Sequence, residues 1–117
     1  MDIVFIRDLR VRALVGIFEW ERRIRQELRL DLEMGFDIRK AAGSDNIDDA
    51  LDYKAVSQRV KAHIEESSFQ LVEALAESIA SLVLKEFPVS SVKLVLNKTG
   101  AVRDARDVGV IIERKRQ

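Results

Sequence analysis

The chain has 117 residues, 47% hydrophobic and 34% charged, which fits a single folded domain over residues 1–117 and excludes both a disordered and a membrane-spanning chain. Lys plus Arg (20) balances Asp plus Glu (20), so the basic excess usual in binders of nucleic acid or anionic lipid is missing. There is no cysteine and one histidine, His63, which excludes disulfides, thiol nucleophiles, thiolate metal sites and a multi-histidine zinc site within one chain.

The opening Met1-Asp2-Ile3 lacks the basic start and apolar run of a signal peptide, and no apolar stretch approaches the ~18 residues of a membrane span. A cytoplasmic protein is expected. From Arg7 to Val15, Leu9, Val11, Ala13 and Val15 point one way and Asp8, Arg10 and Arg12 the other, the period of a half-buried strand. The apolar run Ile3–Ile6 extends it with both faces covered. Gly16–Arg23 is a connection. Ile24–Ile38 repeats the pattern, with Leu28, Leu30, Leu32, Met34 and Phe36 on one face and Glu27, Arg29, Asp31 and Glu33 on the other. A polar stretch with Gly43-Ser44-Asp45-Asn46 follows, with room for a short helical turn. Asp52 then reads as a helix N-cap, and Tyr53, Val56, Val60 and Ile64 follow at helical spacing. A second helix is expected over Gln70–Glu86, with Leu71, Leu75, Ile79, Leu82 and Val83 as its stripe and Pro88 as its stop. Period two returns at Val92, Leu94 and Leu96 and, beyond a turn near Gly100, at Val108, Val110 and Ile112. The tail Arg114–Gln117 reads as frayed.

The order strand-strand-helix-helix-strand-strand predicts an α+β fold, a four-stranded antiparallel sheet made of two hairpins with the helices on one face. The second face then carries Arg10, Arg12, Glu27, Arg29, Asp31 and Glu33. Four strands leave two open edges, and copies joined edge to edge remove them. If such a ring closes, the charged faces line a wet interior, so the pattern points to a cyclic homo-oligomer.

An enzyme of this composition works with Lys, Glu, Asp, Tyr, Ser or backbone groups. Lys98 continues the apolar row Val92, Leu94, Leu96, so it either snorkels out of the strand end or sits in a pocket where desolvation suits it to acid–base work. Glu73 lies away from its helix's apolar stripe, as a solvated residue favoured by the helix dipole or as a carboxylate that clamps a planar pair of donors at a cleft edge. Tyr53, the one tyrosine, is either a core aromatic or a hydroxyl presented to a site. Glu21 lies in the charged connection Glu19–Arg23, where plain solvation is the simple expectation. His63 fits a structural role better than ligation. Asp45, Asp48 and Asp49 lack calcium-loop spacing and read as turn chemistry, and no glycine-rich phosphate loop is present.

Five segments in this order carry a family resemblance: Gly16-Ile17 with Trp20-Glu21-Arg22 and Gln26; Ala50-Leu51-Asp52-Tyr53-Lys54-Ala55-Val56; Phe69-Gln70-Leu71-Val72-Glu73-Ala74; Asn97-Lys98-Thr99-Gly100-Ala101-Val102; and Val108-Gly109-Val110. Through nearly its whole length the chain resembles the bacterial dihydroneopterin aldolases of folate biosynthesis. One departure is Thr99, where the family usually has proline; threonine leaves the backbone freer, so a looser Lys98 and a changed rate are expected. The dihydroneopterin triphosphate 2′-epimerases share the fold and stay open as a second reading, although Lys-x-Gly-Ala-Val resembles the aldolases more. A non-catalytic, pterin-binding ring-former is a third.

The resemblance implies a tunnelling fold, with two four-subunit rings stacked into a homo-octamer and sites between subunits. It implies a pterin substrate and no metal or other cofactor. Retro-aldol cleavage of 7,8-dihydroneopterin yields 6-hydroxymethyl-7,8-dihydropterin and glycolaldehyde, with epimerisation at C2′ as a side activity. Lys98, Tyr53 and Glu21 are the implied catalytic residues. Glu73, Val72, Leu51, Tyr53 and Glu21 are the implied substrate-binding residues, with Tyr53 supplied by a neighbouring chain.

Overall fold

The computed structural model describes residues 1–117. Its elements are β1 (Ile3–Ala13), β2 (Gln26–Gly35), α1 (Arg39–Ser44), α2 (Tyr53–Glu66), α3 (Val72–Glu86), β3 (Ser91–Lys98) and β4 (Gly109–Lys115), with 3-10 turns at Trp20–Arg22 and Ile47–Asp49. The strands form one antiparallel sheet in the order β1-β2-β3-β4. Both central strands alternate cleanly. Leu28, Leu30, Leu32 and Met34 of β2 and Val92, Leu94 and Leu96 of β3 are buried beneath Val56, Val60 and Ile64 of α2 and Leu75, Ala76, Ile79, Ala80 and Val83 of α3. This is the expected α+β fold, because period two and period 3.6 each supply one apolar face and the two faces can only be buried against each other. No helix is long and apolar enough to cross a membrane.

The expected helix start at Asp52 is present. Its carboxylate accepts the Ala55 N–H at 3.0 Å and satisfies one of the free donors of the first turn of α2. The polar stretch before it holds α1, which ends on Asp45 in the left-handed region at φ 56°.

Four details differ from the sequence reading. The alternation of β1 is not continuous. Val4 and Ile6 are half-buried in one phase and Leu9, Val11 and Ala13 in the other, and a β-bulge between Ile6 and Leu9 joins them, with Asp8 at φ 54°. An extra residue there reverses the facing of everything after it. Ile3 and Phe5 are exposed rather than covered on both faces, and so is Ile111 of β4. Leu71 is the exposed residue preceding α3 rather than part of its stripe, and Ala76 and Ala80 complete the buried face instead. The tail is tied down. The Arg116 N–H donates to Ser90 O at 2.9 Å, and its guanidinium donates to the carbonyls of Leu84, Phe87 (2.8 Å) and Val89 (2.9 Å). A cation thereby meets the unpaired carbonyls at the C-terminus of α3, where the helix dipole favours it.

β4 lies close enough to β3 at Gly109 that a Cβ there would strike the carbonyl oxygen of Leu96 and lie 3.0 Å from the Asn97 Cα. Gly109→Ala is therefore expected to destabilise the protein by about 1–3 kcal/mol, read as a lower urea midpoint at fixed protein concentration.

Candidate active site

One end of the sheet gathers the chemistry. Lys98 closes β3 opposite Leu28 of β2, on the row of Val92, Leu94 and Leu96, and so faces the helix side. It does not snorkel into water but turns to an internal partner. Its side chain is 13% exposed, and its Nζ donates to Glu21 Oε2. Glu21 is the one buried charged residue of the protein. Plain solvation, the simple expectation for a glutamate in a charged connection, is therefore overturned. The 3-10 turn Trp20–Arg22 directs this side chain inward beneath the loop.

Burying a carboxylate is costly unless its oxygens are satisfied. Besides Lys98, the Phe18 N–H donates to Glu21 Oε1 at 3.3 Å and Gln26 Nε2 donates to Oε2 at 3.4 Å. The Lys98 hydrogen bond, helped by those of Phe18 and Gln26, holds the carboxyl below its ordinary value of 4.5 although burial pushes it up. Gly16 makes the room. At φ 140° it adopts a backbone that other residues rarely take, and a Cβ there would overlap the Glu21 carboxyl carbon.

The same loop is fastened to the α2–α3 connection. Arg22 donates to the carbonyls of Gly16 (3.4 Å), Ser68 (2.6 Å) and Phe69 (3.0 Å), and the Gly16 N–H donates to Phe69 O at 3.3 Å. That connection leads directly into Val72, half-buried, and Glu73, exposed in the first turn of α3. Glu73 thus takes the solvated, dipole-favoured position, shortly after Phe69, whose carbonyl accepts from both Gly16 and Arg22 of the Glu21 loop. Gly16, Arg22 and Gln26 were visible in the sequence as motif members, but nothing in their spacing revealed that they build the cradle of Glu21.

Tyr53 and Leu51 lie elsewhere. Tyr53 starts α2 and is 62% exposed, while Leu51 is buried just before it. α2 has 14 residues, roughly 20 Å of helix, and leads by a short connection into the returning α3. Within one chain, Tyr53 is therefore at the end of the hairpin opposite Glu73, Glu21 and Lys98. A cleft of about 370 Å³, lined by Ala41, Ile47, Ala50, Leu51 and Tyr53 among others, opens there.

His63 is satisfied by Ser78, with Nε2 2.6 Å from Oγ across α2 and α3, as a structural histidine should be. The acidic group serves the turn. Asn46 caps Asp48 N–H at 3.0 Å, Ser44 Oγ donates to Asp49 at 2.7 Å, and Lys40 pairs with Asp49 at 3.4 Å.

Because folding lowers the pKa of Glu21, its contribution to stability is complete above its ordinary 4.5 and is lost as pH falls through the lowered folded value. Urea midpoints measured from neutral to acid pH are expected to show this loss in the wild type. In Glu21→Gln that limb should flatten and the neutral-pH midpoint should drop, since Lys98 is then buried without its counter-charge.

The family model for dihydroneopterin aldolase matches residues 4–113. Dihydroneopterin aldolase of Escherichia coli K12 is 47% identical over 114 residues, covering 97% of this chain and 93% of its own length. The crystal structure of the E. coli enzyme with neopterin superposes with a TM-score of 0.95 at 47% identity, covering 97% of this chain and 99% of that one. A relative from Vibrio cholerae superposes with a TM-score of 0.97 at 51% identity, covering 99% and 98%. The dihydroneopterin triphosphate 2′-epimerase of E. coli K12 is more distant, 29% identical over 114 residues, covering 97% of this chain and 95% of its own length. With the family model spanning nearly all of its residues and the tunnelling fold reproduced at 47% identity, the chain belongs to the dihydroneopterin aldolase family.

Proposed function

We propose that this chain is a dihydroneopterin aldolase, a lyase acting as a single domain over 1–117 in the cytoplasm, which cleaves 7,8-dihydroneopterin into 6-hydroxymethyl-7,8-dihydropterin and glycolaldehyde. The carrying observation is Lys98, 13% exposed and paired with buried Glu21 beside the start of α3, in a chain 47% identical to the E. coli enzyme over 97% of its length.

The substrate supplies its own electron sink. Removal of the 2′-hydroxyl proton lets the C1′–C2′ bond break, with its electron pair passing into the conjugated C=N of the dihydropterin. C2′ and C3′ leave as glycolaldehyde. Protonation of the resulting enol at C1′ restores the C=N and completes the product. Such a reaction needs orientation and proton transfer, so no Schiff base, metal or other cofactor enters the reading. Lys98 is the acid–base group, acting directly or through a water on the 2′-hydroxyl proton. Glu21 holds the side-chain hydroxyls and the lysine together. Glu73 accepts two parallel hydrogen bonds from the ring N–H and amino group of the pterin, in the manner of an arginine–carboxylate fork. Backbone groups near Val72 and Leu51 add contacts, and Tyr53 returns the proton to C1′. Reversal before glycolaldehyde leaves epimerises C2′ as a side reaction.

Tyr53 and Leu51 cannot meet Lys98 within one chain, so the site forms between subunits. The open edges of β1 and β4, with exposed Ile3, Phe5 and Ile111, suit ring closure, and two stacked four-subunit rings make the octamer. Light scattering on the purified protein should give a homo-oligomer; a stable, active monomer overturns the shared site.

Purified protein with 7,8-dihydroneopterin and no added metal should yield hydroxymethyldihydropterin and glycolaldehyde. Faster epimerisation of the triphosphate, with no cleavage of the free compound, would instead establish the epimerase reading, and absence of pterin binding at micromolar concentration the non-catalytic one. Lys98→Ala should lower kcat by about 100-fold or more with little change in pterin affinity. Glu73→Ala should weaken pterin binding by about 100-fold with a smaller effect on kcat.

A further inference from the structure

The helix-free face of the sheet carries a second polar assembly directly behind Lys98, centred on Arg29. Residues alternate along β3, so Asn97 and the following Thr99 lie on the side opposite Lys98. Arg29, opposite Asn97 on β2, occupies this side too. Its Nε donates to Thr99 Oγ1 at 3.2 Å, one terminal nitrogen donates to Asp107 Oδ1, and the other lies 3.6 Å from Asp8 Oδ1. Its side chain is 26% exposed, so these contacts are less screened than those of a free surface arginine.

The three partners share one geometric consequence. Thr99 opens the loop between β3 and β4, and Asp107 stands one residue before its end. The chain crosses there through the Lys98 N–H to Val108 O bond at 2.7 Å, and the loop turns through the Ala101 N–H to Lys98 O bond at 3.4 Å. One planar guanidinium therefore joins both roots of the loop whose first root bears Lys98, a task for which its fork of fixed donors is suited and a single ammonium is not. Asp8, at the β1 bulge with φ 54°, anchors it from the third side. Asp107 is kept ionised by the Asn97 amide and then by Arg106 and Arg29, which hold its carboxyl below the usual carboxylate range. Proline at position 99 would stiffen the backbone by fixing φ. Threonine offers a hydroxyl instead, and Arg29 holds it, so the looser lysine expected from sequence has a counterweight.

We propose that Arg29 is a positioning residue for Lys98: by holding Thr99 and Asp107 together it fixes the backbone from which the lysine reaches Glu21 and the substrate. The kinetic consequence rests on the aldolase reading, and the backbone consequence does not. Thr99→Val removes the hydroxyl at constant shape and leaves the Arg29–Asp107 and Arg29–Asp8 contacts in place, so the fold is retained.

The test combines steady-state kinetics on 7,8-dihydroneopterin with amide hydrogen exchange at Lys98 and Ala101. In Thr99→Val, kcat should fall about tenfold with KM within about twofold, and the two amides should exchange about tenfold faster while the global unfolding midpoint stays put. Thr99→Ser should recover both readouts. In the Arg29→Lys background, Thr99→Val should add no further loss, because the coupling is already gone. Unchanged exchange or unchanged kcat in Thr99→Val overturns the proposal, as does an equal loss in Thr99→Ser or losses that multiply in the double variant. If the wild type fails to cleave 7,8-dihydroneopterin, the aldolase reading falls, and the exchange data alone decide whether Arg29 holds the turn.

Discussion

A carboxylate shut away from water dictates much of the architecture at one end of this protein. Glu21 is buried, and a buried ionised group is tolerated only when counter-charge and donors surround it. Lys98 supplies the charge, and Phe18 N–H and Gln26 supply further donors. Each donor has its own support. Lys98 is delivered by the register of β3 against β2, Gln26 begins β2 and also donates to Val15 O at 3.0 Å, and the Phe18 N–H is presented by the loop that Arg22 fastens to Ser68 and Phe69. Gly16 is the residue without which the carboxyl has no space. Lys98, the proposed acid–base group, is thereby held by an ion pair that the surrounding loop and strands fix in place.

The length of the helical hairpin then separates Tyr53 and Leu51 from Glu73 and the Lys98–Glu21 pair. α2 climbs from Tyr53 toward the buried pair, and α3 starts beside that pair with Glu73 in its first turn. Glu73, Glu21 and Lys98, to which the proposed function gives substrate-clamping and acid–base roles, are thus at one end, while Tyr53 and Leu51 border a cleft at the other. The two ends of this hairpin stay apart within one chain, and the proposed intersubunit site relies on a second copy to bring one end to the other. The apolar residues left bare on the edge strands, Ile3, Phe5 and Ile111, are what such an edge needs for partnership.

The fold was legible because its two periods are local. Leu28 to Met34 and Val92 to Leu96 alternate, Val56, Val60 and Ile64 step by one helical turn, and Asp52 announces its helix with a side chain whose partner is three residues away. The features that escaped reading depend on residues far apart in sequence. Arg116 caps α3 from 32 residues away at Leu84, and Arg29 reaches Asp107 across 78. Glu21 reads as a surface residue among four charged or aromatic neighbours, because nothing local records a lysine 77 positions downstream. The bulge at Asp8 was hidden by composition: with Ile3, Val4, Phe5 and Ile6 all apolar, a change of phase leaves no trace in the pattern. Family membership came instead from several short segments matched in order, which carry long-range information that no single spacing contains.

Strand geometry also explains why the charged face is more than a solvated wall. Successive residues of β3 point to opposite sides, so any group acting from Lys98 toward the helices shares its backbone with Asn97 and Thr99 on the other side. A side chain that grips those neighbours controls where the lysine's Cα sits, without approaching the substrate. The helix-free face has the means to do this: Arg29 is held by Asp8 from β1 and Asp107 from the approach to β4, and Arg7 pairs with Glu33 farther along at 3.2 Å. The alternation of charge on this face, which in sequence signals only exposure to water, in three dimensions ties together the backbone on which Lys98 stands.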